Sequence, residues 1–222
     1  MRIVLGRQTE DLTTDGFRSR AAAYRLTLLD IGTGDGAFPY RVAGAYPEVL
    51  CVGLDPNREA PAAYASRARR KPARGGRANV LYVAAAVEAP PDALDASADL
   101  VTMNFPWAGL LARVLAGDSA LTAALTKLAR ESWALQILLN AAAPPPSLER
   151  ERGLLTPANV RERLDPALGP VRVTELPETA RVASRWGGRL IRGSRRPIIR
   201  VRADFGAVPP QYDTLLNAAI GL

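Results

Sequence analysis

The chain has no histidine and a single cysteine, Cys51. Without imidazole, every mechanism that needs a histidine base or a histidine metal ligand is excluded, and no metal site is expected. One cysteine allows no internal disulfide, and its place inside the apolar run VLCVGLD makes it a small buried hydrophobe. Apolar runs of about 18 residues are missing too, and the opening stretch MRIVLGRQTEDL holds an acidic pair and only a short apolar run. A soluble, cytoplasmic protein with no membrane partner is the expectation. Aromatic residues make up only 6% of the chain, so each of the three tryptophans, Trp107, Trp133 and Trp186, stands out.

Acids are absent where bases gather. Residues 67–77 (RARRKPARGGR) carry six basic side chains and no acid, and residues 180–203 carry eight arginines and no acid. The chain's net charge is +7, so everything outside these two stretches sums to −7. Lys71 and Lys127 are the only lysines, a bias toward Arg that base composition could produce. Base composition does not explain the missing acids. Positive charge segregated in this way is the footprint of a protein that releases counterions from phosphates, which points to nucleic acid.

Hydrophobic residues form 48% of the chain, enough for one substantial core, and a single domain spanning 1–222 is expected. Apolar strand patterns occur at 24–32, 49–55, 78–86, 98–105, 132–140, 170–176 and 195–203. Helical segments are expected between them at 36–46, 57–70, 110–115, 119–131 and 156–164. Strands alternating with helices predict an α/β fold, with a mostly parallel seven-stranded sheet covered on both faces. A Pro-rich connector, APPPSLERERG, interrupts the series, so 141–155 and 177–196 read as inserted linkers. Residues 1–20 are expected to form a small hairpin extension outside the main sheet.

The first strand ends in DIGTGDG, Asp30 to Gly36, and the second in GLDP, with Asp55 at its close. Ligands of an open α/β sheet collect beyond the carboxyl ends of its strands, where glycines permit close approach and an acid suits a ribose diol. GTGDGA also satisfies the loose dinucleotide pattern, but Asp30 and Asp35 flank the loop and would repel a pyrophosphate. A sulfonium with an amino-acid tail, as in S-adenosylmethionine, suits these acids better. After the third strand, AAAVEAPP puts Ala86, Val87 and Glu88 near the same edge, where they could border an adenine. The fourth strand runs into NFPWAGLL, and Trp107 is either a core residue capping the sheet or a flat surface for stacking. Trp133 opens a buried strand and fits the core. Trp186 lies among Arg and Gly, where a core position is hard to arrange.

Several segments together resemble one family, the aminoglycoside-resistance methyltransferases that modify N1 of a decoding-site adenine, position 1408, in 16S ribosomal RNA. They are DIGTGDG with Pro39-Tyr40, GLDP, RRKPARGGRANVLYVAAAVEAPP, FPWAGLL, RGLL at Arg152 to Leu155 and SRWGGRLIRGSRR at Ser184 to Arg196, in family order over roughly residues 28–200. The resemblance implies a class I, Rossmann-like methyltransferase that uses S-adenosylmethionine on the 30S subunit, as a monomer. It implies cofactor contacts at Asp30, Gly32, Thr33, Gly34, Asp35, Gly36, Asp55, Pro56, Ala86, Val87, Glu88 and Asn104. Trp107 and Trp186 would sandwich the flipped adenine, supported by Asn104, Phe105, Pro106 and Ser184. Arg67, Arg70, Lys71, Arg74, Arg152, Arg189, Arg195 and Arg196 would contact RNA. Three positions depart from the pattern: Asn104 where relatives tend to be aliphatic, Ala108 for a Gly after FPW, and Ser194 for a basic residue.

N1 of adenine offers an in-plane lone pair, so no deprotonation need precede methyl transfer, and alignment with the methyl would carry catalysis. The lack of His fits that chemistry. Asn104-Phe-Pro-Trp is also close to the N-P-P-aromatic motif of enzymes that methylate exocyclic amines, which keeps an N6-adenine or other amino methyltransferase as an alternative. A ribosome-binding protein without catalysis is the third reading.

Overall fold

The computed structural model describes residues 1–141, 155–177 and 197–218. The chain opens with a hairpin, β1 (Arg2–Leu5) and β2 (Gln8–Asp11), followed by helix α1 (Thr14–Ala21). Next come β3 (Leu26–Ile31), α2 (Ala37–Ala45), β4 (Val49–Asp55), α3 (Ala62–Ala68), β5 (Val80–Ala84) and β6 (Ala98–Asn104). The second half adds α4 (Ala108–Ala116), α5 (Ser119–Leu128), β7 (Ala129–Asn140), α6 (Pro157–Leu168), β8 (Arg172–Leu176), β9 (Ile198–Phe205) and α7 (Gln211–Ala218).

All nine strands join one mixed sheet in the order β2-β1-β5-β4-β3-β6-β7-β9-β8. The five central strands, β5 to β7 in that order, run parallel, and the strands on either flank are antiparallel. The seven strands expected from the sequence are present, but the hairpin does not stand apart. It extends the sheet through the pairing of Ile3 with Val83. The physical reason is the apolar β5, VLYVA, whose edge would otherwise expose unpaired backbone groups, and Ile3 and Val4 are buried against it.

Local chemistry moves several boundaries. The hairpin ends at Asp11, and α1 follows, its Thr13 hydroxyl accepting from Gly16 N at 3.1 Å. Only Phe17 and Ala21 of that helix are buried, too few to give a helical period in the sequence. Pro61 delays α3 to Ala62, because its ring removes a donor and fixes φ at the first turn. The helix expected to reach residue 131 stops at Leu128, where pairing of Ala129 with Ala98 recruits the chain into β7. Thr156 and Asn159 form a reciprocal capping box that opens α6. Helix α7, absent from the sequence reading, buries Tyr212, Leu215 and Leu216 against one face of the sheet with Leu26, Leu28 and Phe38. The other face is covered by α1, α4, α5 and α6, with Phe17, Leu111, Leu115, Leu125 and Leu164 buried there.

Candidate active site

The carboxyl ends of β3, β4, β5 and β6 meet at one edge, and the glycine loop lies across it. Gly32 N and Thr33 N both donate to the Leu54 carbonyl, at 2.8 and 3.1 Å, and Gly34 N donates to Asp55 Oδ2 at 2.8 Å. These bonds fold the loop over the end of β4 and fix the Asp55 carboxylate. Asp35 turns the other way and accepts from Ala37 N at 3.0 Å, capping the start of α2. Gly36 has φ +76, and a Cβ there would stand 2.5 Å from the Tyr82 ring, so only glycine fits. The space beside Gly34 is open to 4 Å. Pro56 is exposed beyond Asp55.

A register row across the sheet supports this loop from below. Tyr82, Gly53, Asp30, Thr102, Gln136 and Arg202 are successive cross-strand partners. The Tyr82 hydroxyl donates to the Gly36 carbonyl at 2.7 Å. Gly53 leaves room for Thr33, whose side chain would stand within 3.0 Å of any added Cβ. Asp30 is 1% exposed and accepts at Oδ1 from Thr102 Oγ1 at 2.7 Å and from Asn104 Nδ2 at 2.9 Å. Burial pushes its carboxyl up to about 6, the charge of Asp55 adds to the shift, and the hydrogen bonds it accepts oppose it. Among the described residues no Lys or Arg pairs with Asp30. A cationic ligand group would therefore find an acid ready to ionise beside it.

The segment after β6 presents Trp107. Phe105 and Pro106 are buried, and Phe105 N donates to the Leu138 carbonyl at 2.9 Å. Phe105 (φ +56) and Ala108 (φ +47) both adopt the left-handed conformation, which costs a non-glycine residue about 1 to 3 kcal/mol. The resulting kink turns Trp107 outward at 58% exposure, the large apolar side chain left exposed among the described residues. Trp133 is 4% exposed and stacks on Phe205 with ring centroids 4.1 Å apart, an ordinary core residue. The left-handed φ of Ala108 also gives a physical reason for a glycine to be favoured there. Asn104 faces inward: its Nδ2 is committed to Asp30, and its Oδ1 is buried without a hydrogen-bond partner.

Ala86 and Val87 lie in the loop after β5, half-buried and buried, beside the exposed Glu88. Glu88 forms an ion pair with Arg113 of α4, which also reaches Asp118 Oδ1 at 3.0 Å. Asp118 in turn caps α5 by accepting from Leu121 N at 2.7 Å, and these partners hold its carboxyl below the usual range. The loop after β5 is thus tied to the helix that starts beside Trp107. In the basic stretch, Arg67, Arg70, Lys71 and Arg74 are exposed. Arg152, Ser184, Trp186, Arg189, Arg195 and Arg196 lie outside the described residues, as do most of the two linkers.

Residues 2–205 match the family model described as NpmA: 16S rRNA (adenine(1408)-N(1))-methyltransferase. The chain is 31% identical over 219 residues to the 16S rRNA (adenine(1408)-N(1))-methyltransferase of Streptoalloteichus tenebrarius, covering 95% of this chain and all of that one. The chain belongs to this methyltransferase family. The crystal structure of a mutant 16S rRNA (adenine(1408)-N(1))-methyltransferase from Catenulisporales acidiphilia with cosubstrate SAM superposes with a TM-score of 0.82 at 32% identity, over 95% of this chain and 98% of that one. The antibiotic-resistance methyltransferase Kmr superposes at 0.73 with 34% identity, over 93% and all of the respective chains.

For a member of this methyltransferase family the donor set fits S-adenosylmethionine: a buried acid at β3, a fixed carboxylate at β4, and an open glycine loop that offers no cation to a phosphate. The sequence reading missed Thr102, Tyr82, Gly53 and Arg113. Gly53 and Tyr82 were seen only as parts of GLDP and of RRKPARGGRANVLYVAAAVEAPP, Thr102 and Arg113 stand outside every motif, and their roles come from cross-strand register and from an ion pair across elements.

Proposed function

We propose that this enzyme transfers a methyl group to N1 of adenine 1408 of 16S rRNA within the 30S subunit, acts as a monomer and confers aminoglycoside resistance. S-adenosylmethionine supplies the methyl group. Asp30 and Asp55 hold the donor at its cationic and ribose ends, the loop at Ala86, Val87 and Glu88 borders its adenine, and the glycine loop closes over it. Trp107 stacks on the extruded target base from one side and Trp186 from the other, and each base-on-indole contact offsets roughly 1 to 3 kcal/mol of the unstacking cost. The N1 lone pair forms the new N–C bond as the sulfur–methyl bond breaks, so no side chain need remove a proton first. The outward indole of Trp107, held beside the Asp30 site by two left-handed residues, carries this reading.

Asn104 bears on the choice between ring nitrogen and exocyclic amine. An amine methyltransferase needs that amide as an acceptor facing the substrate, whereas here it braces Asp30 and its oxygen is sealed. The deciding experiment incubates the protein with 30S subunits and labelled S-adenosylmethionine, followed by reverse transcription and nucleoside mass analysis. A stop beside adenine 1408 with 1-methyladenosine is expected, and N6-methyladenosine would overturn the assignment. Trp107→Ala should keep cofactor affinity and lose roughly 5- to 150-fold in turnover on 30S. Undiminished turnover would remove the indole from the base site.

A further inference from the structure

We propose that Tyr40 is a positioning residue that holds the basic stretch 67–77 in shape for RNA. The inference rests on the rRNA reading above and adds to it the device that orders the stretch before RNA arrives. Six cations in eleven residues repel one another, and such a segment is expected to be loose. Here it is folded. A short 3-10 turn at Pro72–Arg74 is followed by Gly75 at φ +87, and Arg77 N returns to donate to the Ala68 carbonyl at 2.8 Å. Gly76 sits so close to the Arg70 carbonyl that an added Cβ would fall 1.8 Å from its oxygen.

The Tyr40 side chain, on the first turn of α2, is the hub of that fold. Its hydroxyl donates to the Gly75 carbonyl at 2.5 Å. The guanidinium carbons of Arg67 and Arg77 lie 5.2 and 5.7 Å from the centroid of its ring, and the Tyr64 ring packs at 5.0 Å. One aromatic ring thus meets two mutually repelling arginines. Arg69, Arg70, Lys71 and Arg74 remain exposed with no carboxylate of the described residues paired to them. The stretch accordingly divides into two bracing arginines and four exposed cations left for phosphate. Ordering the backbone in advance removes a cost that RNA binding would otherwise carry.

Tyr40→Phe deletes the hydroxyl and keeps the ring with its two arginines. The KM for 30S subunits should rise roughly 2- to 10-fold, the loss expected of one hydrogen bond. Turnover at saturating 30S and the Kd for S-adenosylmethionine should stay as in the parent. With no RNA present, trypsin should cut after Arg70 and Arg74 faster than in the parent. Gly76→Ala, which disturbs the same turn from the other side, should reproduce all three results. An unchanged KM together with unchanged cleavage would overturn the proposal, and so would a weakened cofactor affinity, which would place the role of Tyr40 at the glycine loop. A parent protein inert on 30S would sink the rRNA reading, and the cleavage rates would still decide whether the hydroxyl shapes the stretch.

Discussion

Two aspartates, Asp30 and Asp99, are buried at opposite ends of adjacent parallel strands, and the protein treats them differently. Asp99, near the amino end of β6, accepts from Thr27 N at 2.8 Å and from the Tyr212 hydroxyl at 3.3 Å, and Arg130 Nε stands 3.5 Å away. Backbone, α7 and a cation surround it, so it staples three parts of the fold. Asp30, at the carboxyl end of β3, receives neutral donors, Thr102 and Asn104 among them, and no cation among the described residues. Burial of a carboxylate without a countercharge costs stability. An acid kept in that state is explained by a ligand that brings the charge. The difference between the two ends of the sheet is therefore a difference between a closed structural site and one left without a countercharge among the described residues.

Exchanging each acid for its amide gives the largest test of that contrast. Asp30→Asn should weaken S-adenosylmethionine binding by about 2 to 5 kcal/mol, the usual cost of losing one partner of a desolvated charge pair, while ligand-free stability holds or rises. Asp99→Asn should do the reverse, lowering stability by about 1 to 3 kcal/mol in denaturant melts and leaving cofactor affinity in place. Calorimetric titration and unfolding of both variants read both quantities. A stability loss in Asp30→Asn equal to that in Asp99→Asn would erase the distinction.

Acid titration gives a smaller effect with a definite sign. The carboxyl of Asp30 is raised from 3.8 to about 6 in the fold, so the native state holds that proton more tightly than the unfolded chain. The contribution to ligand-free stability is full below the unfolded value and is lost as pH rises through about 6. Cofactor affinity should move oppositely: it needs the carboxylate, and it should fall about tenfold for each unit below that edge. Titrations at pH 5 and pH 7.5 check this. Equal affinities at the two values would mean that Asp30 does not meet the cation.

The sequence showed the acid at Asp30 and the glycine loop because both stand at a strand end, where local chemistry signals a ligand. It showed the seven strands because burial on both faces leaves continuous apolar runs. It did not show Thr102 or Gln136, since polar residues inside such runs look like noise until register sets Thr102 beside Asp30 and Gln136 beside Thr102. The place of the hairpin depended on the edge of β5, a neighbour distant in sequence. Tyr40 was visible only as part of a motif, and its contact with Gly75 spans 35 residues.

The finest test of the contrast lies at Asn104, which stands where relatives tend to be aliphatic. Asn104→Leu removes one of the donors to Asp30 and also removes an amide oxygen buried without a partner. The two changes oppose each other in stability, so the net effect should stay within about 1 kcal/mol. The carboxylate loses a hydrogen bond that favours its ionised form, so its titration should shift upward by up to about one unit. At pH 7 cofactor affinity should then fall by up to about twofold, with no change in the methylated position. A pH edge that stays where it is would show that Asn104 does not help to set the ionisation of Asp30, and would leave it as a remnant of packing rather than part of the acid's support.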